Sequence, residues 1–124
     1  MSINSEIKII NKSSGEIIGN RIKYAGTFLL RLKGLLFCKS LSPGEGLLLY
    51  PCSSVHSMGM RIPIDVVFLD QDLHVLNTVS DMKPGLTARQ KGASYTLELK
   101  AGTIKNQGIG PGDIFTLESG PEFK

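Results

Sequence analysis

A chain of 124 residues, 41% hydrophobic and 20% charged, has the makeup of one globular domain, residues 1–124, rather than of a disordered segment. Its net charge of +3 comes from scattered basic residues without tryptophan or aromatic–basic interleaving, which argues against nucleic acid as a partner. No apolar run approaches the roughly eighteen residues a membrane-spanning helix needs, and MSINSEIKII lacks the basic-then-apolar plan of a signal peptide, so a cytoplasmic protein with no membrane partner is expected.

Taken in chain order, EIKIIN alternates and is predicted as a strand, KSSGE as a turn, and IIG with RIKYA as further strand. Thr27 is predicted to cap an amphipathic helix whose apolar stripe is Phe28, Leu29, Leu32, Leu35 and Leu36, with Gly34 inside it. SLSPGEG is a loop by its proline and glycines, and LLLY a short buried strand. IDVVFL and HVLNTVS flank DQD as a β-hairpin. DMKPGLTARQKG is predicted as a polar loop, of a length at which loops commonly carry function. In SYTLELK, Tyr95, Leu97 and Leu99 face one way, and Ser94, Thr96, Glu98 and Lys100 the other. AGTIKNQG is predicted as one helical turn capped by Thr103 and stopped at Gly108. GPGD then turns into a last strand, IFTLE, with the Asp113 side chain bonding the turn's backbone. Many short strands without strand–helix alternation give a mainly β fold, an antiparallel sandwich or barrel with one amphipathic helix packed against it.

The stretch PCSSVHSMGMRIPIDVVFLD, residues 51–70, holds the residues with chemistry. If residues 52–60 run extended, Cys52, His56, Met58 and Met60 share one face, and Val55, Ser57, Gly59 and Arg61 the other. Thiol, imidazole and thioether together select soft cations such as Cu(I). Met and free Cys also serve as ordinary core fillers, and positions two apart on a strand are separated by about 7 Å. No cofactor is therefore expected, with copper at these four residues as the alternative. A zinc set of Cys38, Cys52, His56 and His74 lacks the short Cys-x-x-Cys spacing, and His74 is expected to face solvent. In a reducing compartment Cys38 and Cys52 should be free thiols.

Asp65, set among apolar residues, must be paired, lie near a sheet end or accept backbone N–H bonds, because an unpaired buried carboxylate is costly. An ion pair with Arg61 or Arg31 is the preferred explanation. The function read from these residues is a non-enzymatic binding module for a small polar ligand, a glycan or a peptide. Its pocket would be lined by His56, Ser57, Met58, Arg61 and Asp65 and closed by the loop from Asp81 to Gly92. The alternative is a metal protein, or a hydrolase or transferase in which Cys52 is activated by His56 and Asp65 orients the imidazole.

Four stretches resemble a bacterial and archaeal family catalogued as domain of unknown function 192. They are TFLLRLKGLL, SLSPGEGLLL, HSMGMRIPIDVVFLD, and YTLELKAGT followed by GIGPGD, in the family's order over residues 25–117. The resemblance implies a compact, mainly β domain of jelly-roll-like or barrel character with a helix packed on it, and it highlights Arg31. It implies no established activity; some relatives carry signal peptides or lie near pilus and secretion genes. This chain departs from the pattern in having Cys38 where many members have an arginine, and Pro84-Gly85 where many have Pro-Trp.

Overall fold

The computed structural model describes residues 6–25 and 40–119. Within them the strands are β1 (Glu6–Asn11), β2 (Glu16–Ala25), β3 (Glu45–Leu49), β4 (Ser54–His56), β5 (Ile64–Leu69), β6 (Val75–Met82), β7 (Thr87–Arg89), β8 (Tyr95–Lys100) and β9 (Phe115–Ser119). One short helix, α1 (Thr103–Gln107), precedes β9. The predicted amphipathic helix, with Thr27, Arg31 and Cys38 in or beside it, lies outside the described residues.

Seven strands form one sheet in the order β6-β5-β8-β3-β2-β1-β9. Its neighbours are antiparallel except β2 and β3, which run parallel, with Arg21 opposite Glu45 and Ala25 opposite Leu49. The sheet is therefore mixed, which corrects the purely antiparallel expectation. A parallel pair needs a crossover of a dozen or more residues, and residues 26–44 supply that length. The two outer strands come together at one place, the antiparallel bridge between His74 and Ile114. Val75 N–H donates to the Asp113 carbonyl at 2.8 Å and Phe115 N–H to the Leu73 carbonyl at 2.9 Å. The sheet curls until its ends touch, but it is not a closed barrel.

Strands in the middle of this sheet are buried on both faces, and they read as continuous apolar runs for that reason. One face carries Ile7, Ile9, Ile22, Leu48, Val67, Leu97, Leu99 and Phe115, joined by Ile104 and Ile109 from α1 and the turn after it. The opposite face carries Leu47, Leu49, Ile64, Val66, Phe68 and Met82, joined by Cys52, Val55 and Met60. Strand alternation sorts the residues: Leu48 goes to the first core, Leu47 and Leu49 to the second. At Gly46 an added Cβ would stand 2.5 Å from the Glu98 carbonyl oxygen, so only glycine lets β3 and β8 pair this closely.

The stretch expected as a loop from Asp81 onward contains strand β7 instead. β7 pairs with β4 as a separate antiparallel ribbon, with Ser54 opposite Arg89, Val55 opposite Ala88 and His56 opposite Thr87. Val55 and Ala88 face inward onto the second core, which is what fastens the ribbon to the sheet.

Candidate functional site

The rim of the β4–β7 ribbon is organised around Ser57, which is fully buried. Its hydroxyl donates to the Lys83 carbonyl at 2.6 Å and accepts the Leu86 N–H at 2.9 Å. Its backbone N–H donates to the Leu86 carbonyl, and its own carbonyl accepts the N–H groups of Met60 and Gly85. One serine thus clamps two turns, each containing a glycine in the left-handed region, Gly59 at φ 81° and Gly85 at φ 90°. Beside the clamp, Met58 is 60% exposed and Leu86 50% exposed. Ser54, His56, Thr87 and Arg89 lie on the outward face of the ribbon, and Arg61 is exposed after the turn.

This arrangement corrects the expected facing of residues 52–60. The strand ends at His56 and the turn at Gly59 resets the alternation. Cys52, Val55, Ser57 and Met60 point in, while His56, Met58 and Arg61 point out. The Cys52 thiol donates to the Ser54 carbonyl at 3.3 Å, and its carbonyl accepts the Thr96 hydroxyl at 2.9 Å. The soft-ligand set is therefore divided, Cys52 and Met60 in the core, His56 and Met58 at the surface. Among the described residues no three His, Cys, Asp or Glu side chains are grouped to hold a metal ion. His74 lies elsewhere, exposed, with Nδ1 3.8 Å from the Asp70 carboxylate.

Asp65 stands on the other face of the sheet, toward the first core. Its Oδ1 accepts the Asp81 N–H at 2.8 Å, and its Oδ2 accepts those of Gly102 at 3.1 Å and Ile104 at 2.8 Å. Among the described residues its partners are backbone N–H groups, and Arg31, the other expected ion-pair partner, lies outside them. Among the described residues no ion pair involves Asp65, and Arg61 is not its partner. Helix α1 has Gly102 at its N-cap and no side-chain cap of its own, so Asp65 supplies the acceptor from a distant strand. Thr103, the expected cap, donates its hydroxyl to the Lys100 carbonyl instead. The sheet stands between Asp65 and His56, so the two share no pocket, and no relay from Cys52 through His56 to Asp65 is assembled. An open cleft of about 410 Å³ beside Asp65 is lined by Ser80, Asp81, Ala101, Gly102 and Lys105. The Asp81 backbone there is left-handed, φ 54°, where the β5–β6 register shifts.

Glu98 was not singled out by the sequence reading, yet it is buried in the second core between Leu47 and Val66 on the adjoining strands. Burial pushes its carboxyl up to about 7. The signal was present in SYTLELK: an acid on the second face of a strand central enough to have no solvent-facing side.

No helix among the described residues is long and apolar enough to cross a membrane. The family model described as DUF192, uncharacterized ACR, matches residues 9–117. The UPF0127 protein TK1120 of Thermococcus kodakarensis is 30% identical over 113 residues, covering 87% of this chain and 71% of that protein. A Novosphingobium aromaticivorans protein of unknown function has a similar structure, TM-score 0.77 at 24% identity, over 90% of this chain and 83% of its own. A Sinorhizobium meliloti protein provisionally described as a transcription regulator gives a TM-score of 0.78, also at 24% identity, over 93% and 92%. At that identity both likenesses speak to the fold alone.

Proposed function

The chain belongs to the uncharacterised family of domain of unknown function 192, and we propose that it acts as a small, non-enzymatic, cytoplasmic binding module that takes a peptide segment at the Met58–Leu86 rim. The observation carrying this reading is the paired exposure of two large apolar side chains on backbone that Ser57 holds rigid. Scattered exposed apolar residues need no explanation, but adjacent ones on a fixed frame mark contact surfaces. Sites for small polar molecules are concave and enclosing, whereas Met58 and Leu86 stand at two turns, which suits a polypeptide partner better than a small ligand or a glycan. Methionine and arginine are enriched at interface cores, and methionine adapts to irregular partners. The buried free thiol of Cys52 suits a reducing compartment.

Selection from a displayed library of random peptides tests the reading, with the wild-type protein and a Met58→Ser/Leu86→Ser variant as baits. Enriched peptides should bind wild type and lose about tenfold or more on the variant, the scale of losing an apolar anchor. Peptides that bind both proteins equally, with the variant as stable as wild type, would remove the rim from consideration.

A further inference from the structure

One structural unit of this chain carries more cations than acids. Residues 50–63 and 81–93, which build the β4–β7 ribbon and its turns, contain four cations, Arg61, Lys83, Arg89 and Lys91, against one acid, Asp81. The unit is therefore net +3 by itself. Lys83 is engaged with Asp81 at 2.7 Å. Arg61, Arg89 and Lys91 are exposed, and among the described residues no ion pair includes them. The same unit exposes Met58 and Leu86.

From this juxtaposition we infer that the rim recognises an acidic peptide segment with an apolar anchor, the anchor meeting Met58 and Leu86 while flanking carboxylates meet Arg61, Arg89 and Lys91. The inference rests on the binding reading above and adds the partner's chemistry to it. Arginine forks match carboxylates bidentately, so two arginines favour Asp and Glu side chains as partners. Complementary rim charge raises the association rate and selects against basic partners, and it makes both effects sensitive to salt. Nucleic acid is less well matched, because the exposed apolar groups here are aliphatic and offer no ring for a base to stack on.

The test uses short fluorescent peptides sharing one Leu-Phe anchor and flanked by glutamate, glutamine or lysine, titrated with the intact protein at low and high salt. Vesicles containing phosphatidylglycerol and a duplex DNA serve as competing probes. At low salt the glutamate peptide should bind about tenfold more tightly than the glutamine peptide, and the lysine peptide more weakly than either. High salt and an Arg61→Gln/Arg89→Gln/Lys91→Gln variant should each abolish that preference while anchor-dependent binding persists. Equal binding of the glutamate and glutamine peptides would overturn the acidic assignment and leave the peptide module standing. Failure of all three peptides to bind, wild type being folded, would overturn both. Tighter binding of vesicles or DNA than of the glutamate peptide, through the same three cations, would assign the surface to that class instead and overturn the inference.

Discussion

The carboxylate of Asp65 and the backbone N–H of Ile104, 39 residues apart, meet at 2.8 Å. The same oxygen takes the Gly102 N–H, and the other oxygen takes that of Asp81. A strand residue in this way fixes the start of α1 and the bulge in β6 together. An Asp65→Asn substitution keeps the shape but turns an amide NH₂ toward backbone donors. Charged acceptors contribute about 1.5–3 kcal/mol per bond, and a stranded buried donor costs a similar amount, so a loss of about 3 kcal/mol is expected. Urea unfolding measures it, and a loss below about 0.5 kcal/mol, an ordinary surface effect, would contradict the role assigned to Asp65.

Glu98 should make stability depend on pH. An unfolded glutamate titrates near 4.5 and the buried one near 7, so the folded state holds the proton more tightly. Its contribution is fully present below about 4.5 and is lost as pH rises through 7, by roughly 3 kcal/mol at about 1.4 kcal/mol per pH unit. The difference in unfolding free energy between wild type and a Glu98→Gln variant should change across pH 5–8 in that sense. A flat difference would show that the carboxyl is not held protonated.

Ser57 should matter to the rim more than to the fold. Ser57→Ala removes the bond to the Lys83 carbonyl and strands the Leu86 N–H, at a cost of about 1–2 kcal/mol. Amide exchange at Leu86 should quicken markedly while β5 and β8 stay protected. Unchanged protection at Leu86 would mean the two turns are held some other way.

The Cys52 thiol, buried and donating to Ser54, should resist labelling in the folded protein. In a Cys38→Ser variant, a thiol reagent should modify the one remaining cysteine only when denaturant is added. Rapid native-state labelling would place Cys52 at the surface.

Much of the fold was legible because several segments are long enough to show their period. The β5–β6 hairpin around Asp70, the alternation of β8, the stop of α1 at Gly108 and the bonding of Gly110 N–H to the Asp113 carboxylate all follow the expectation. The β4–β7 ribbon was not legible, since three residues per strand carry no period and the turn at Gly59 resets which side chains point inward. Ser57, expected to line a pocket, bonds instead to backbone atoms of Lys83 and Leu86, which leave no trace in sequence. The same holds for Asp65, whose donors among the described residues are backbone amides and not Arg61. The parallel β2–β3 pair was missed because a single parallel pair leaves no repeating pattern in the sequence.

β8 lies between β3 and β5, yet it is translated after both. Until Tyr95–Lys100 has left the ribosome, β1 to β3 and the β5–β6 hairpin are two separate half-sheets. The Leu47–Leu49 and Ile64–Leu69 strands then present bare edges, largely apolar on both sides. Such edges pair readily with other chains. The vulnerable period of this protein is therefore its own synthesis: a nascent chain stalled before residue 95 should need chaperone protection, and the arrival of one six-residue strand should end that need.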